Sequence, residues 1–125
     1  ENTVHVTGRV PEVHPYYAAA DVFVSASESE GHPITVLEAM AATLPVIAPD
    51  IPGVREAVNN DETGVLYSPD RTGRLVQAMA ELIEDEEQTR YGRAGYKRVE
   101  SRFDVQIMAN TYLRLYKRLQ LSGEN

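Results

Sequence analysis

A chain of 125 residues is long enough for one domain that buries roughly two-thirds of its unfolded surface. The lack of cysteine excludes disulfides and thiolate metal sites, and no apolar run approaches the length of a membrane span. A net charge of −7 argues against nucleic acid as a partner, because phosphate backbones need a basic surface. The charge is uneven: residues 1–60 carry only Arg9 and Arg55 as cations, and residues 61–125 carry ten. Interleaved with Glu, that basic excess reads as a solvated helical surface, with contact to anionic lipid as the alternative. With neither a starting Met nor a signal peptide, the sequence reads as a piece of a cytoplasmic protein.

In chain order, Val4–Thr7 reads as a strand ending at Gly8. Pro11–Ala20 reads as a helix opening at a proline, with Val13, Tyr16, Tyr17 and Ala20 inward. Asp21–Val24 is a second strand, and Ser25–Ser29 is polar turn material. Pro33 fits the first turn of a helix, where its missing N–H costs nothing. Ile34, Leu37 and Ala41, with Val36 and Met40 beside them, give that helix a buried face, and Thr43–Pro45 ends it.

Leu44–Pro49 is a third strand, followed by the turn Asp50–Gly53 and a short helix over Val54–Val58. Asn59–Gly64 is turn-rich, and Val65–Tyr67 is a fourth strand. The rest is helical. Arg71–Asp85 has Leu75, Met79 and Leu82 in register, and Glu86–Ser101 follows with Gly92 and Gly95 weakening it. Val105–Leu121 closes the chain with Ile107, Leu113, Tyr116 and Leu119 as its apolar side. Strands alternating with helices predict an α/β fold: a Rossmann-like parallel sheet of about four strands with flanking helices.

Two carboxylates occupy different places on this frame. Glu30 lies in the loop before the motif helix, and Glu38 lies within it, on the stripe of Thr35 and Ala42. From Pro33 to Glu38 a helix rises roughly 7–8 Å, too far for one shared proton but suited to two parts of one elongated ligand. Between them, the N–H groups of His32, Ile34 and Thr35 would face out of the helix N-terminus, a place for phosphate. An anion between two hydroxyl-binding carboxylates describes a nucleotide sugar. Ligands of open α/β sheets sit beyond the carboxyl ends of the strands, so Gly8–Val10, Ser25–His32 and Pro49–Gly53 should line one crevice. His5 and His14 have no neighbour at metal-ligand spacing and read as structural.

The segment Ser29-Glu-Gly-His-Pro-Ile-Thr-Val-Leu-Glu-Ala-Met-Ala-Ala-Thr-Leu-Pro-Val-Ile-Ala, with seven residues between Glu30 and Glu38, resembles the signature of retaining glycosyltransferases of family 4. Val4-His-Val-Thr-Gly-Arg-Val, Tyr17-Ala-Ala-Ala-Asp-Val-Phe-Val, Gly53-Val-Arg-Glu, Thr63-Gly-Val-Leu-Tyr and Phe103-Asp-Val extend the likeness over nearly the whole chain. The resemblance implies the GT-B fold, two Rossmann-like domains facing a cleft. Residues 1–125 would then be a partial nucleotide-sugar-binding (C-terminal) domain.

The resemblance also assigns roles. Glu38 would accept hydrogen bonds from the ribose hydroxyls, and Glu30 would meet the donor sugar near the transferred carbon as the catalytic candidate. Gly31, His32, Pro33, Ile34 and Thr35 complete the substrate-binding set, Gly31 by letting the backbone approach the ligand. Gly53 would lie near the phosphates, Val10 against the nucleobase, and Glu56 would be a helix-start carboxylate. The seven tyrosines, at core spacings, are no sugar-stacking platform. His32 departs from the family pattern, where an aromatic or apolar residue is commoner. Thr43 departs too, standing where Gly suits a left-handed helix end, so that either the turn is rebuilt or strain is tolerated.

The function so implied is transfer of a sugar from a UDP- or GDP-linked donor to an acceptor, with retention and without metal or cofactor. The family's diphosphate-binding Arg and Lys, and its acceptor-binding N-terminal domain, have no counterpart in these residues. The fragment alone is therefore expected to be inactive. Two alternatives stay open: a stand-alone half-domain that binds nucleotide or self-associates without catalysis, and a phosphorylase or epimerase of the same fold. A peripheral membrane contact of the full-length protein is a further partner to test.

Overall fold

Three short apolar segments form a parallel sheet in a computed structural model that describes residues 3–84 and 88–122. They are β1 (Phe23–Val24), β2 (Val46–Pro49) and β3 (Val65–Tyr67), paired in that order. Phe23 lies opposite Val46, and Ile47 opposite Val65, which fixes the register. The central strand β2 is buried along its whole length, as expected of a parallel strand covered on both faces. Val46 and Ala48 face one apolar cluster, with Val36, Met40 and Val54, and Ile47 faces another, with Ala78, Leu82 and Tyr91.

Six helices flank the strands among the described residues: α1 (His14–Ala19), α2 (Ile34–Ala41), α3 (Pro52–Ala57), α4 (Thr72–Glu84), α5 (Gln88–Arg102) and α6 (Val105–Ser122). The helix boundary expected at Asp85 and Glu86 lies outside the described residues. No helix of the described residues is long and apolar enough to cross a membrane.

The sheet has three strands where about four were expected. Val4–Thr7 is not a strand, and Val4 and Val6 are 74% and 94% exposed. A parallel strand needs cover on both faces, and these side chains have none. Two inward faces also differ from expectation. In α1, Tyr17 is buried but Tyr16 and Ala20 are exposed. In α2, the buried set is Val36, Leu37, Ala39 and Met40, while Ile34 and Ala41 face outward.

Helix α5 packs against α2 because its two glycines allow it. A Cβ at Gly92 would stand 2.1 Å from the Thr43 carbonyl oxygen, and one at Gly95 would touch Met40. The residues that weaken α5 as an isolated helix are those that let it approach. Arg98 of α5 then donates Nε to the Ala57 carbonyl at 2.7 Å and Nη2 to the Glu56 carbonyl at 2.9 Å, capping α3. Helix α6 is exposed along its described length, so Ile107, Leu113, Tyr116 and Leu119 form an apolar side that no described residue covers.

Candidate functional site

The carboxyl edge of the sheet is where the chain leaves each strand for a helix, and it holds the motif. The exit of β1 is fixed twice: Ser25 N–H donates to the Ile47 carbonyl at 2.9 Å, and the buried Tyr67 hydroxyl donates to the Ser25 carbonyl at 3.1 Å. The exit of β2 is tied by Asp50 N–H to the Tyr67 carbonyl at 2.8 Å, and Arg55 pairs with Asp50 at 2.5 Å. The edge is built from the Ser25–His32 and Pro49–Gly53 loops with the turn after β3. Gly8–Val10 follows no strand, contrary to expectation.

Glu30 is half-buried, and its backbone lies directly against α3. Gly53, expected near phosphate, stands where any side chain would strike the Glu30 carbonyl. Its placement is explained by packing within the chain. Gly31 is exposed, with open space where a Cβ would project. The exposed His32 sets its ring 6.3 Å from Phe103 at the α5–α6 junction. Pro33 is fully buried and precedes α2 rather than lying in its first turn, with φ −82° and ψ 71°.

That geometry is an inverse γ-turn, and Ile34 N–H donates back to the His32 carbonyl at 2.9 Å. The Ile34 N–H was expected to face outward for an anion and is occupied instead. No side chain caps α2, whose first turn carries the exposed Ile34 and Thr35 at this edge.

Glu38 is exposed one turn further on, and sequence reasoning missed its partner. Tyr17 of α1 donates its hydroxyl to Glu38 Oε2 at 3.1 Å and lies 3.4 Å from the Thr35 carbonyl. Its ring is buried and packs edge-on to Phe23, with centroids 5.9 Å apart. Burial, then the hydrogen bond to Glu38, then that carboxylate's charge push the phenol up to about 12. The sequence marked Tyr17 as inward, but nothing in it said where the hydroxyl would end. A cavity of about 420 Å³ opens beside this pair, lined by His14, Tyr17, Ala18, Glu38, Ala41 and Ala42. No group of three or more acidic or His side chains among the described residues is placed to hold a metal ion.

The arrangement presents Glu30 in the loop ahead of an uncapped helix start and Glu38 within that helix. Comparison with known proteins gives the frame for it. The lipopolysaccharide core mannosyltransferase LpsB of Rhizobium meliloti is 30% identical over 115 residues, which cover 90% of this chain and 33% of that protein. Sucrose-phosphate synthase from Thermosynechococcus elongatus superposes with a TM-score of 0.81 at 32% identity, covering 88% of this chain and 28% of that one. The Anabaena HepE protein, solved in complex with UDP-glucose, superposes with a TM-score of 0.82 at 26% identity, covering 94% and 33%. The chain spans about a third or less of the length of the curated relatives it matches. The family model described as "Glycosyl transferases group 1" matches residues 1–98, and the chain belongs to that family.

Proposed function

We propose that residues 1–125 are the later part of the donor-binding, C-terminal domain of a GT-B glycosyltransferase of the retaining family 4 type. The full-length protein would move a sugar from a UDP- or GDP-linked donor to an acceptor hydroxyl. In that step the bond between the anomeric carbon and the diphosphate breaks, a bond from the acceptor oxygen to the anomeric carbon forms, and the acceptor hydroxyl's proton passes to the departing diphosphate. Glu38 would accept hydrogen bonds from the ribose hydroxyls, and Glu30 would contact the sugar near the transferred carbon. Gly31, His32, Pro33, Ile34 and Thr35 would shape the crevice between them. The positive end of the α2 dipole would favour the departing diphosphate, with the cations of the phosphate site supplied from outside these residues and no metal ion needed.

The observation that supports this reading is that the Glu30 backbone is packed against Gly53 in the loop ahead of α2 while the Glu38 carboxylate, within α2, is held by Tyr17. HepE, a relative of like fold, was crystallised with UDP-glucose, which supports a nucleotide sugar as ligand. Transfer itself would need the acceptor domain, so these residues alone would bind a donor without turnover. Donors of this kind are made in the cytoplasm, where we place the protein.

Amide NMR titration with UDP, GDP, ADP and UDP-glucose tests the site. Shifts should gather on Gly31–Glu38 and weaken in Glu38→Ala. Unmoved amides at saturating nucleotide, in a folded sample and in the full-length protein, would overturn the reading.

A further inference from the structure

Tyr17 does something a core residue does not require. Its ring fills the space between α1, α2 and Phe23, and a phenylalanine would fill the same space without a hydroxyl to desolvate. The hydroxyl instead reaches an exposed carboxylate 21 residues away in sequence. A phenol has one proton to donate, and the charged, nearer Glu38 Oε2 is a stronger acceptor than the Thr35 carbonyl at 3.4 Å. We propose that Tyr17 is the positioning residue for Glu38: its immobile phenol holds Oε2, fixes the carboxylate plane, and leaves Oε1 directed to ligand hydroxyls. The proposal rests on Glu38 being the nucleotide's hydroxyl acceptor, as argued under Proposed function.

A glutamate on a helix surface has three side-chain torsions, and a ligand that binds it must order them all. With Oε2 already held, that ordering is done before the ligand arrives, which is how preorganisation raises affinity. The surroundings favour the assignment. The 420 Å³ cavity beside the pair is lined otherwise by Ala18, Ala41, Ala42 and His14; His14 is the other side chain of that lining with a donor, and among the described residues it is Tyr17 that bonds Glu38. The phenol is pushed up to about 12 and stays protonated, so it remains a donor at any pH where the protein would work.

Calorimetric titration of the full-length protein tests this. The probes are UDP, GDP and ADP, and for whichever binds, its analogue lacking both ribose hydroxyls. Tyr17→Phe should weaken the intact nucleotide about fivefold, the usual size of one net hydrogen bond, and leave the analogue unchanged. In a Glu38→Ala background the same substitution should add nothing. Equal losses for nucleotide and analogue would make Tyr17 structural and overturn the proposal, as would no loss for either. Should Tyr17→Phe fold poorly, the wild-type protein still decides: the Glu38 carboxyl carbon resonance should move as Tyr17 ionises near pH 12, and a fixed resonance overturns the contact. A wild-type protein that binds none of the three nucleotides would overturn the functional reading itself, a different result from binding that ignores Tyr17.

Discussion

A Cβ built on Gly53 stands 2.1 Å from the carbonyl oxygen of Glu30 and 3.0 Å from that of Gly31. The start of α3 and the loop ahead of α2 are thus in backbone contact, and no side chain other than hydrogen fits between them. Gly53→Ala must push the loop away and should cost about 1–3 kcal/mol, the range for overpacking a filled site. If Glu30 meets the donor sugar as proposed, its displacement on the order of 1 Å would lower the proposed transfer by about a hundredfold. Gly31→Ala is the control, because nothing lies within 4 Å of its added methyl. Its stability should change by no more than about 0.5 kcal/mol, so lost donor binding there would report close approach of the ligand. Thermal melts and donor titrations of both variants separate the two outcomes.

Thr43 sits at φ 62°, in the left-handed region, at the C′ position of α2. Its N–H donates to the Met40 carbonyl and Leu44 N–H to the Ala39 carbonyl, both at 3.0 Å, which is the Schellman pattern. The turn is therefore kept and the strain tolerated, with the Thr43 hydroxyl donating to the Ala42 carbonyl at 2.6 Å. Thr43→Gly should stabilise the fold by about 1 kcal/mol, as a β-branched residue leaves an unfavourable conformation. Gly92→Ala should act in the opposite sense by about 1–3 kcal/mol, since its methyl would meet the Thr43 carbonyl at 2.1 Å. Denaturant midpoints at unchanged m-value would measure both.

Periodicity found three strands and six helices because buried β2 and the stripe of α2 are local patterns. It failed where burial depends on distant chain. Val4 and Val6 alternate as a strand does, yet both are exposed and among the described residues β1 pairs with β2 alone. Ile107, Leu113, Tyr116 and Leu119 keep helical spacing, but no described residue covers them. At the site, the two carboxylates and the glycine between them were legible as types at a spacing. The hydroxyl of Tyr17, the backbone contact of Gly53 and the γ-turn at Pro33 were not, because each is a relation between segments or a choice of backbone angle that residue identity alone leaves open.

The alkaline limb of stability should carry the mark of Tyr17. Its phenol is raised from 10.0 to about 12 in the folded chain, first by burial and then by Glu38. A raised value means the protonated form is favoured in the folded state. This contribution is complete below pH 10 and is lost as pH rises through about 12. Burial raises the phenol of Tyr67 in the same direction. Melts taken across that window should fall less steeply for Tyr17→Phe than for the wild-type protein. Parallel curves would mean that the phenol gains nothing from its folded surroundings.

Arg98 connects the helical layer to the motif loop from behind. Its guanidinium caps α3 through the Glu56 and Ala57 carbonyls and lies 6.0 Å from the centre of the Phe103 ring. Phe103 in turn sits against His32. Burial lowers the guanidinium from its usual range, with the charge of Arg102 adding to it. The two carbonyl bonds offset that cost. Arg98→Ala would leave both carbonyls without their donor and should destabilise the protein by about 1–3 kcal/mol. Arg98→Lys should recover only part of this, because an ammonium cannot reproduce the planar fork that spans two adjacent carbonyls. Because the first turn of α3 carries the glycine that abuts Glu30, the effect should reach the site. Amide shifts of His32 and Glu30 should move in Arg98→Ala, while those of Leu113 and Lys117 on exposed α6 stay fixed. Shifts confined to Glu56–Val58 would limit Arg98 to a cap and break the link from α5 to the motif.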